Sequence, residues 1–406
     1  MDVEIGPIGP ERFDDLIRVL SASFGHEPRP WEVVHERTLW EHERTLAAFD
    51  DPDIVGVASA QSRELTVPGT MVPLAAVVAV GVLPTHRRRG ILTALMRRQL
   101  EDIRDRGEAV AALWASEGAI YQRYGYGLGT LTAHFRVDRR HAAFARAAEV
   151  RGAVRLVDRT EAEARFAPIY DRVRAERPGM LDRPPAWWRY LLADPEQERR
   201  GFSAYFHAVY ESPEGPDGYA VYRIKPGWSH RGADHVLELE ELMAATPEAY
   251  EALWRYCLGI DLVGRIEGWK RPVDEPLPFM LAEPRRLQLG IRDGLWVRLV
   301  DVPRALEGRR YSAAGALTVE VRDPFCPWNE GTYRVEGGPD GASCARVEGE
   351  PELVAGVADL GAAFLGGVSL GRLVRAGRVQ EVAPGAVARA DAMLRWDPAP
   401  WSPHVF

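Results

Sequence analysis

Three consecutive arginines followed by a glycine, at residues 87–90, form the segment of this sequence with the clearest chemical potential. An apolar run that ends at Pro84 precedes them and an amphipathic run follows, so they lie between a strand and a helix. The first backbone amides of a helix have no intrahelical partner and carry partial positive charge. Together with Arg88 and Arg89 these amides would bind a pyrophosphate, and Gly90 would let the phosphate approach the backbone.

A solvated arginine turn before an ordinary helix is the alternative interpretation of these four residues. The order of strand, proline, basic turn, glycine and amphipathic helix favours the anion site, because each part supplies something that a phosphate needs. The segment matches neither GxxxxGK[ST] nor GxGxxG, so the sequence does not indicate binding of a nucleoside triphosphate or a dinucleotide.

The elements that must position this turn follow from the hydrophobic patterning. β-rich runs occur at 53–65, 72–84 and 108–116, and the helix before the last of them has apolar positions on one face from 91 to 103. Strand, strand, helix, strand is an α/β order in which the helix connects two parallel strands.

The same order repeats in a second unit that begins near residue 150, and a third unit begins around residue 290. The strands of the second unit are predicted at 218–225, 235–244 and 261–269. The third unit contains an apolar, small-residue segment over 352–374, which is typical of a cavity wall or of tight helix packing. We therefore predict three domains, with the bounds 1–148, 149–288 and 289–406.

The composition argues against several classes of function. With 51 basic against 59 acidic residues the net charge is −8, which argues against nucleic acid as a partner, because phosphate binding needs a basic surface. No apolar run reaches about 18 residues, so we expect no membrane span, and the acidic start lacks the features of a signal peptide. The three cysteines stand far apart without a CxxC pair, which argues against a disulfide scaffold and favours a cytoplasmic location.

A second motif, SEGAIYQRYGYG, follows the third predicted strand over residues 116–127. The pattern V-x-V-x-P-x-x-R-x-x-G over 80–90 resembles the acetyl-CoA signature of the GCN5-related N-acetyltransferases (GNAT). PTHRRRG combined with the second motif resembles the Eis family, the "enhanced intracellular survival" acetyltransferases of actinobacteria. The resemblance extends over the chain, including LTVPG (65–69), GYAVYR (218–223) and DGLWVRLVDVPRALE (293–307).

The resemblance implies an α/β architecture of tandem GNAT-like domains, the second degenerate, followed by a sterol-carrier-protein-like domain. The end of the third domain would return to the active site of the first, and the chain would form a homo-oligomer, as the hexamers of the family do. Residues 150–285 have no R-x-x-G turn after a V-x-V strand, so we expect one catalytic site per chain.

The resemblance also implies acetyl-CoA as co-substrate and no metal. In this fold the strands at 72–83 and 108–116 diverge, and the thioester arm lies in the gap between them. Backbone groups of Val80, Gly81 and Val82 would pair with that arm as an added strand does. The resemblance also implies that the pyrophosphate of acetyl-CoA is held by Arg88, Arg89, Gly90, Ile91, Leu92 and Thr93. Ser116 and Glu117 match further contacts of the family with the co-substrate.

Tyr121 matches the general acid of the family. An amine that attacks a thioester must be neutral, and the departing thiolate, whose thiol has a pKa of about 8.5, needs a proton. A phenol with a pKa near 10 can supply it. The alternative for a lone tyrosine is packing, and we assign Tyr124 and Tyr126 to that role.

The base implied by the resemblance is the α-carboxylate of Phe406. A free α-carboxyl has a pKa of about 3.5, and burial against apolar surface would raise it. The phenylalanine side chain could anchor the terminus in a pocket, whereas a frayed tail is the usual alternative.

The acceptor implied by the resemblance is an aminoglycoside or a similar polyamine, acetylated on primary amines, which would confer antibiotic resistance. Carboxylates and aromatic faces suit such cations, and the candidates are Phe24, Glu27, Trp31 and Glu36. An ordinary amphipathic helix is the alternative for this segment. Several family members carry an acidic residue before the terminal phenylalanine, where this chain has Val405. We interpret His26 and His86 as bystanders.

Other functions remain open at this stage. Lysine side chains of peptides or proteins are an alternative acceptor, because pocket width decides between them. A lipid carrier using the third domain, or an acyl-CoA sensor without catalysis, belongs to a different class. A sensor would need only the residues that bind the co-substrate, so the presence of both Tyr121 and Phe406 favours an enzyme.

Overall fold

The computed structural model describes residues 3–147, 151–230 and 232–406. The N-terminal part follows the predicted order, and its elements are β1 (Glu4–Pro7), α1 (Phe13–Phe24), α2 (Pro30–Leu39), β2 (Thr45–Asp50), β3 (Asp53–Val67), β4 (Thr70–Val82), α3 (Ile91–Asp105), β5 (Val110–Trp114), α4 (Gly118–Tyr121), β6 (Gly127–Leu128) and β7 (Leu131–Asp138). The parallel pairing of β4 with β5, connected through α3, is confirmed.

The middle part repeats this order, as predicted. Its elements are β8 (Ala153–Val157), α5 (Arg159–Glu176), α6 (Pro185–Leu191), β9 (Phe206–Ser212), β10 (Gly215–Lys225), β11 (Trp228–Ser229), β12 (Gly232–Ala233), β13 (His235–Ala244), α7 (Pro247–Gly259), β14 (Val263–Arg271), α8 (Leu277–Met280) and β15 (Gln288–Asp293). Strands β13 and β14 are parallel and α7 connects them. The Thr246 hydroxyl caps α7 by accepting from the amide of Ala249.

The C-terminal part is a smaller sheet with helices around it. Its elements are β16 (Leu295–Leu299), α9 (Val302–Glu307), β17 (Gly315–Arg322), β18 (Gly331–Gly338), β19 (Gly341–Arg346), β20 (Leu353–Gly356), α10 (Val357–Ala363), α11 (Leu370–Arg375), β21 (Val379–Glu381) and α12 (Ala386–Leu394). The sheet has the order β19-β18-β17-β20-β21.

Two long sheets form the frame, and the chain crosses between them twice. The first has the order β1-β2-β3-β4-β5-β16-β6, and the second has the order β15-β7-β14-β13-β10-β9-β8. Strand β7 therefore lies in the second sheet although it directly follows β6, and β16 lies in the first although it directly follows β15. Sheet membership thus does not coincide with the predicted bounds at 148/149 and 288/289, which stay predictions.

The small-residue segment predicted at 352–374 is used for close packing. Helix α10 lies against β6 and β16, and a Cβ placed on Gly361 would come within 2.4 Å of the Val297 carbonyl oxygen. A Cβ on Gly127 would meet the Ala358 carbonyl oxygen. Glycine at both positions allows the helix to approach the strands.

Candidate active site

A gap opens in the first sheet where β4 and β5 stop pairing. The parallel register covers Leu74 to Ala76 against Val110 to Ala112, whereas β4 continues to Val82. Ala79 has a φ of 53°, and the register of β4 against β3 shifts between Val57 and Ser59. The predicted divergence of the two strands is confirmed. Val80, Gly81 and Val82, which we predicted to bind the thioester arm, lie on β4 beyond Ala76, the last residue that pairs with β5.

The arginine turn follows β4 and is open to solvent. Arg87 donates to the carbonyl oxygen of Ser23 at 2.8 Å, which ties the turn to α1. Arg88 and Arg89 are exposed, and no ion pair or hydrogen bond of their guanidinium groups is found within the described parts of the chain. Their charges are therefore available to an anion.

The start of α3 supplies the backbone donors of this turn. Gly90 is its N-cap residue, with a φ of 83° and open space where a Cβ would stand, and no side chain caps the helix. The sequence analysis explained Gly90 by the close approach of a phosphate to the backbone. The left-handed backbone conformation is a second reason for glycine at this position. Ile91 is buried, Leu92 is half-buried and Thr93 is exposed, with its hydroxyl 3.4 Å from the Tyr124 hydroxyl.

The second motif turns directly after β5. Ser116 and Glu117 are exposed, and Glu117 is the N-cap residue of α4. Both therefore lie at the open end of β5, on the solvent side of the gap.

Tyr121 ends α4 and is 7% exposed. Burial raises its pKa to about 12, and Tyr124 and Glu117 add to the rise. Its ring meets the edge of Tyr126 with centroids 5.9 Å apart. The phenol is therefore protonated at neutral pH, as a proton donor must be.

A cavity of about 400 Å³ lies beside the gap. Val78 and Ala79 of β4 line it, so it borders the strand where pairing with β5 has ended. It brings together three of the predicted site residues, Phe24, Glu36 and Phe406. The first part, the middle part and the C-terminal tail supply the remaining wall, which is formed by Phe13, Leu16, Ile17, Leu20, Ser21, His26, Pro28, Leu39, Trp40, Ser59, Gln61, Trp187, Tyr190 and Val405.

Three of the residues predicted to bind the acceptor or to catalyse the transfer do not line this cavity. The Trp31 ring stacks on the Tyr190 ring with centroids 6.3 Å apart, and the Trp31 indole nitrogen donates to a Glu198 carboxylate oxygen at 3.4 Å. Glu27 is exposed on the loop before α2. Tyr121 packs in the core cluster beneath the gap instead.

Among the described residues, Glu36 is the one whose side-chain carboxylate lines the cavity. Desolvation raises its pKa, the neighbouring Glu32 adds to the rise, and His26 opposes it. His26, which we interpreted as a bystander, lies 3.2 Å from Glu32 and is part of the cavity wall.

The C-terminal segment is docked rather than frayed. The Trp401 indole donates to the Lys270 carbonyl oxygen at 2.8 Å, and the Trp401 amide donates to the Pro178 carbonyl oxygen at 2.8 Å. His404 is 1% exposed and accepts from Arg183 at 2.7 Å. These contacts with the middle part carry Phe406 into the cavity of the first sheet.

Sequence reasoning missed residues of the middle part and one residue of the C-terminal tail. Arg183 of the middle part holds His404 of the tail, and Trp187 and Tyr190 of the middle part line the cavity. The dense aromatic run at 187–190 was a signal of a special role, but it did not indicate which part of the molecule it would face.

The third sheet encloses a very small apolar cavity. Its volume is about 30 Å³. Leu317, Val335 and Phe364 are among the side chains that fill the space around it. Side chains thus fill most of this interior, and the carrier hypothesis stays a prediction.

No helix in the described ranges is both long and apolar enough to cross a membrane. Within those same ranges, no group of three or more His, Cys, Asp or Glu side chains is placed to hold a metal ion. The prediction that no metal takes part stays a prediction.

Comparison with protein families gives three matches. An acetyltransferase (GNAT) domain matches residues 4–129, a second acetyltransferase (GNAT) domain matches 179–299, and a sterol carrier protein domain matches 302–403. These matches confirm the predicted fold class of two GNAT domains followed by a sterol-carrier-protein-like domain.

Relatives match over nearly the whole chain. A Streptomyces avermitilis protein, named only as an N-acetyltransferase, is 43% identical over 404 residues, which are 97% of this chain and 96% of that protein. The N-acetyltransferase Eis of Mycobacterium tuberculosis is 37% identical over 395 residues, 94% of each chain. The crystal structure of Eis1 from Mycobacterium abscessus superimposes with a TM-score of 0.87 at 37% identity, covering 100% of both chains.

Proposed function

Because this chain belongs to the Eis-like enzymes of the GNAT family and is an N-acetyltransferase, we propose that it transfers an acetyl group from acetyl-CoA to a primary amine held in the cavity beside the β4–β5 gap. The observation that carries the proposal is that Val78 and Ala79 border both the gap and the cavity. An amine in the cavity would thus face a thioester in the gap.

GNAT enzymes use acetyl-CoA as co-substrate, and the residues here fit it. Arg88 and Arg89 are exposed and unpaired within the described chain, and the uncapped start of α3 at Gly90 adds backbone donors. Val80 and Val82 lie along the gap, beyond the last residue of β4 that pairs with β5. Bound there, the co-substrate supplies an activated acetyl thioester.

The acid and base are assigned to Tyr121 and Phe406. The α-carboxylate of Phe406 accepts the proton that the amine loses as its nitrogen–carbon bond forms. Tyr121 keeps its proton at neutral pH because its pKa is raised to about 12, and gives it to the departing sulfur. Half-burial of Phe406 in the cavity supports this placement of the carboxylate.

The family resemblance implies aminoglycosides or similar polyamines as acceptors, at one or several amines, with antibiotic resistance as the outcome. Lysine side chains of peptides are the second candidate, supported by a cavity that opens at exposed Phe24 and Val405.

The experiment is release of free CoA from acetyl-CoA with a panel of primary amines. A protein extended by one glycine moves the terminal carboxylate by about 3.5 Å and should lose most activity, whereas Phe406→Leu keeps the carboxylate and should retain much of it. Equal activity of the extended and unextended proteins would exclude the carboxylate as base. No release with any amine would overturn the proposed function.

We also propose that the chain forms a homo-oligomer, the hexamer of the family resemblance, and works in the cytoplasm. The edge strand β15 exposes Leu289 and Ile291, and β14 exposes Trp269, an apolar surface of the kind that subunit contacts cover. Cys257, Cys326 and Cys344 are free and buried, which suits a reducing compartment. Light scattering during size-exclusion chromatography would give the subunit number.

A further inference from the structure

A fully buried ion pair lies within the C-terminal part of the chain. Arg298 of β16 and Asp323, the residue after β17, are both 0% exposed. The Nη2 atom of Arg298 donates to the Asp323 carboxylate at 2.6 Å. Because both charges have left water, apolar residues of similar volume would often give equal or greater stability. Stability alone therefore does not account for this pair, and its neighbours indicate a second role.

The Asp323 carboxylate also organises the loop of residues 323–329. It accepts from the backbone amide of Cys326 at 3.0 Å and from the side-chain amide of Asn329 at 2.9 Å. The same side chain of Asn329 donates to the Val300 carbonyl oxygen at 3.1 Å. Since Val300 directly follows β16, these bonds fix the loop against the end of that strand.

The C-terminal part covers the second motif directly after Tyr121. Arg378 donates to the side-chain oxygen of Gln122 at 3.1 Å. The Phe325 ring lies 5.0 Å from the Tyr124 ring, measured between centroids, and both rings belong to the apolar cluster that contains Tyr121. Phe325 is part of the 323–329 loop, so its position beneath the motif depends on the hydrogen bonds of that loop.

Arg298 itself lies against the backbone of the motif. Gly125 has a φ of 82°, and a Cβ placed on it would overlap the Arg298 guanidinium. Glycine therefore lets the buried charge approach this backbone. The turn closes on the proposed proton donor, because the Tyr126 amide donates to the Tyr121 carbonyl oxygen at 3.3 Å. The guanidinium thus supports the turn of which Tyr121 is the first residue.

The 323–329 loop is also attached to α3. Arg97 donates to the Phe325 carbonyl oxygen at 2.9 Å, and its guanidinium carbon lies 4.6 Å from the centre of the Phe325 ring. The guanidinium carbon of Arg104 lies 4.9 Å from the centre of the Trp328 ring. Because α3 begins at the arginine turn, the loop lies between the helix of the proposed co-substrate site and the turn of the proposed proton donor.

We propose that the C-terminal part of the chain positions the proton donor, with Arg298 and Asp323 as the positioning residues. The inference rests on the proposed role of Tyr121. The ion pair fixes the 121–126 turn through Gly125, and the 323–329 loop fixes it through the Tyr124 ring. The Tyr121 hydroxyl is thereby held in line with the departing sulfur, where a displacement of about 1 Å can cost a hundredfold in rate.

The first test removes both charges at once. Arg298→Met combined with Asp323→Asn roughly keeps the side-chain volumes and leaves no charge buried without its partner, which would be strongly destabilising. We expect kcat to fall about ten- to hundredfold, with the KM for acetyl-CoA within about twofold of wild type. A folded variant with wild-type kcat would overturn the inference. A rise in the KM for acetyl-CoA as large as the fall in kcat would also overturn it.

Arg44→Met combined with Glu108→Gln is the matched control. This pair is also largely buried, with 2.6 Å between the charged groups, but it lies at the other end of β5 from the second motif. Its removal should leave kcat within about twofold of wild type, and an equal loss of kcat in both variants would refute a specific role for Arg298 and Asp323. Phe325→Leu probes the loop without touching a buried charge, so it serves where the double variant does not fold. It should lower kcat about three- to tenfold, and an unchanged kcat would count against the loop.

Combination with Tyr121→Phe identifies the group through which the ion pair acts. If the pair acts through the Tyr121 hydroxyl, its removal from the Tyr121→Phe protein should change kcat by less than about twofold. A further ten- to hundredfold loss in that background would overturn the inference, because the pair would then act on another group.

A spectroscopic measurement separates this inference from the proposed function. With 3-fluorotyrosine incorporated at position 121, the ¹⁹F resonance should shift or broaden when the Arg298–Asp323 pair is removed and stay unchanged in the control that lacks the Arg44–Glu108 pair. An unchanged resonance in the first case would overturn the positioning role. A shifted resonance in a protein that releases no CoA with any amine would support the positioning role and overturn the proposed function.

Discussion

The Nε atom of Arg183 donates a hydrogen bond of 2.7 Å to the Nε2 atom of His404, joining the middle part of the chain to its last residues. The same guanidinium donates to Glu241 at 2.8 Å, and Tyr219 donates to that carboxylate at 2.6 Å. Because an arginine cannot accept a hydrogen bond, Nε2 of His404 must be unprotonated. A neutral imidazole thus holds the tail two residues before Phe406.

The first prediction concerns pH. Burial and then Arg183 lower the pKa of His404 well below its usual 6.5; the other positive charges that act on it belong to Arg63, Lys270 and Arg174. Below about pH 6.5 the unfolded chain binds a proton that the folded chain refuses, so stability is fully present above that pH and falls as the pH drops. Urea unfolding from pH 7.5 to pH 5 should show a free energy of unfolding that falls by up to about 1.4 kcal/mol per pH unit from this group. His404→Gln should lack this component, and an identical pH slope in both proteins would refute the assignment.

The second prediction separates docking of the tail from acetyl-CoA binding. His404→Phe leaves the Arg183 donor without its acceptor, which costs about 1–3 kcal/mol and should loosen the tail. We expect kcat to fall and the KM for the amine to rise, while the KM for acetyl-CoA stays unchanged, because the arginine turn lies elsewhere. His404→Gln keeps a hydrogen-bond acceptor and should restore much of the activity. A rise in the KM for acetyl-CoA in His404→Phe would show a general loss of structure instead.

The third prediction concerns the arginine turn. Arg88→Ala and Arg89→Ala should each raise the KM for acetyl-CoA about tenfold, because charge-assisted bonds to phosphate are lost. The effect should shrink with added salt. Arg98→Ala is the matched control: it lies on α3, and its pairing with Asp102 is a surface contact. Equal KM values for acetyl-CoA in wild type and in both turn variants would remove the turn from the co-substrate site.

The fourth prediction concerns Gly90, whose φ is 83°. A Cβ there meets open space, so any loss of stability comes from backbone strain alone. Gly90→Val should cost about 1–2 kcal/mol in the free energy of unfolding, and Gly90→Asn should cost less, because asparagine tolerates the left-handed conformation. Both should raise the KM for acetyl-CoA. Equal stability of the two variants, measured by urea unfolding, would contradict the strain argument.

Sequence patterning predicted the parts of the site that are local in the chain. Strand β4, the arginine turn and helix α3 are consecutive, so apolar periodicity, Pro84 and Gly90 define them together. The parallel pairing of β4 with β5 followed from the helix between them.

The parts that sequence could not predict depend on distant pairs. Strand β16 pairs with β5, Leu295 opposite Trp114, although the two lie in different predicted domains. Arg183 and His404 meet only once the sheets have formed. No periodicity encodes such contacts, because a strand's pattern specifies which face is buried and not which partner covers it.

The last prediction compares two neighbouring tyrosines. Tyr121→Phe should lower kcat about 10²- to 10⁴-fold, the range for loss of a general acid, with little change in the KM for acetyl-CoA. Because the pKa of Tyr121 is raised to about 12, wild-type kcat should show no alkaline decline from this group below pH 11. Tyr126→Phe is the matched control, since the Tyr126 hydroxyl is buried without a hydrogen-bond partner in the described chain. Its removal should leave kcat within a few-fold of wild type and change the free energy of unfolding by about 1 kcal/mol or less, in the stabilising direction. If Tyr126→Phe instead lost the larger share of kcat, the proton donor would be Tyr126 and not Tyr121.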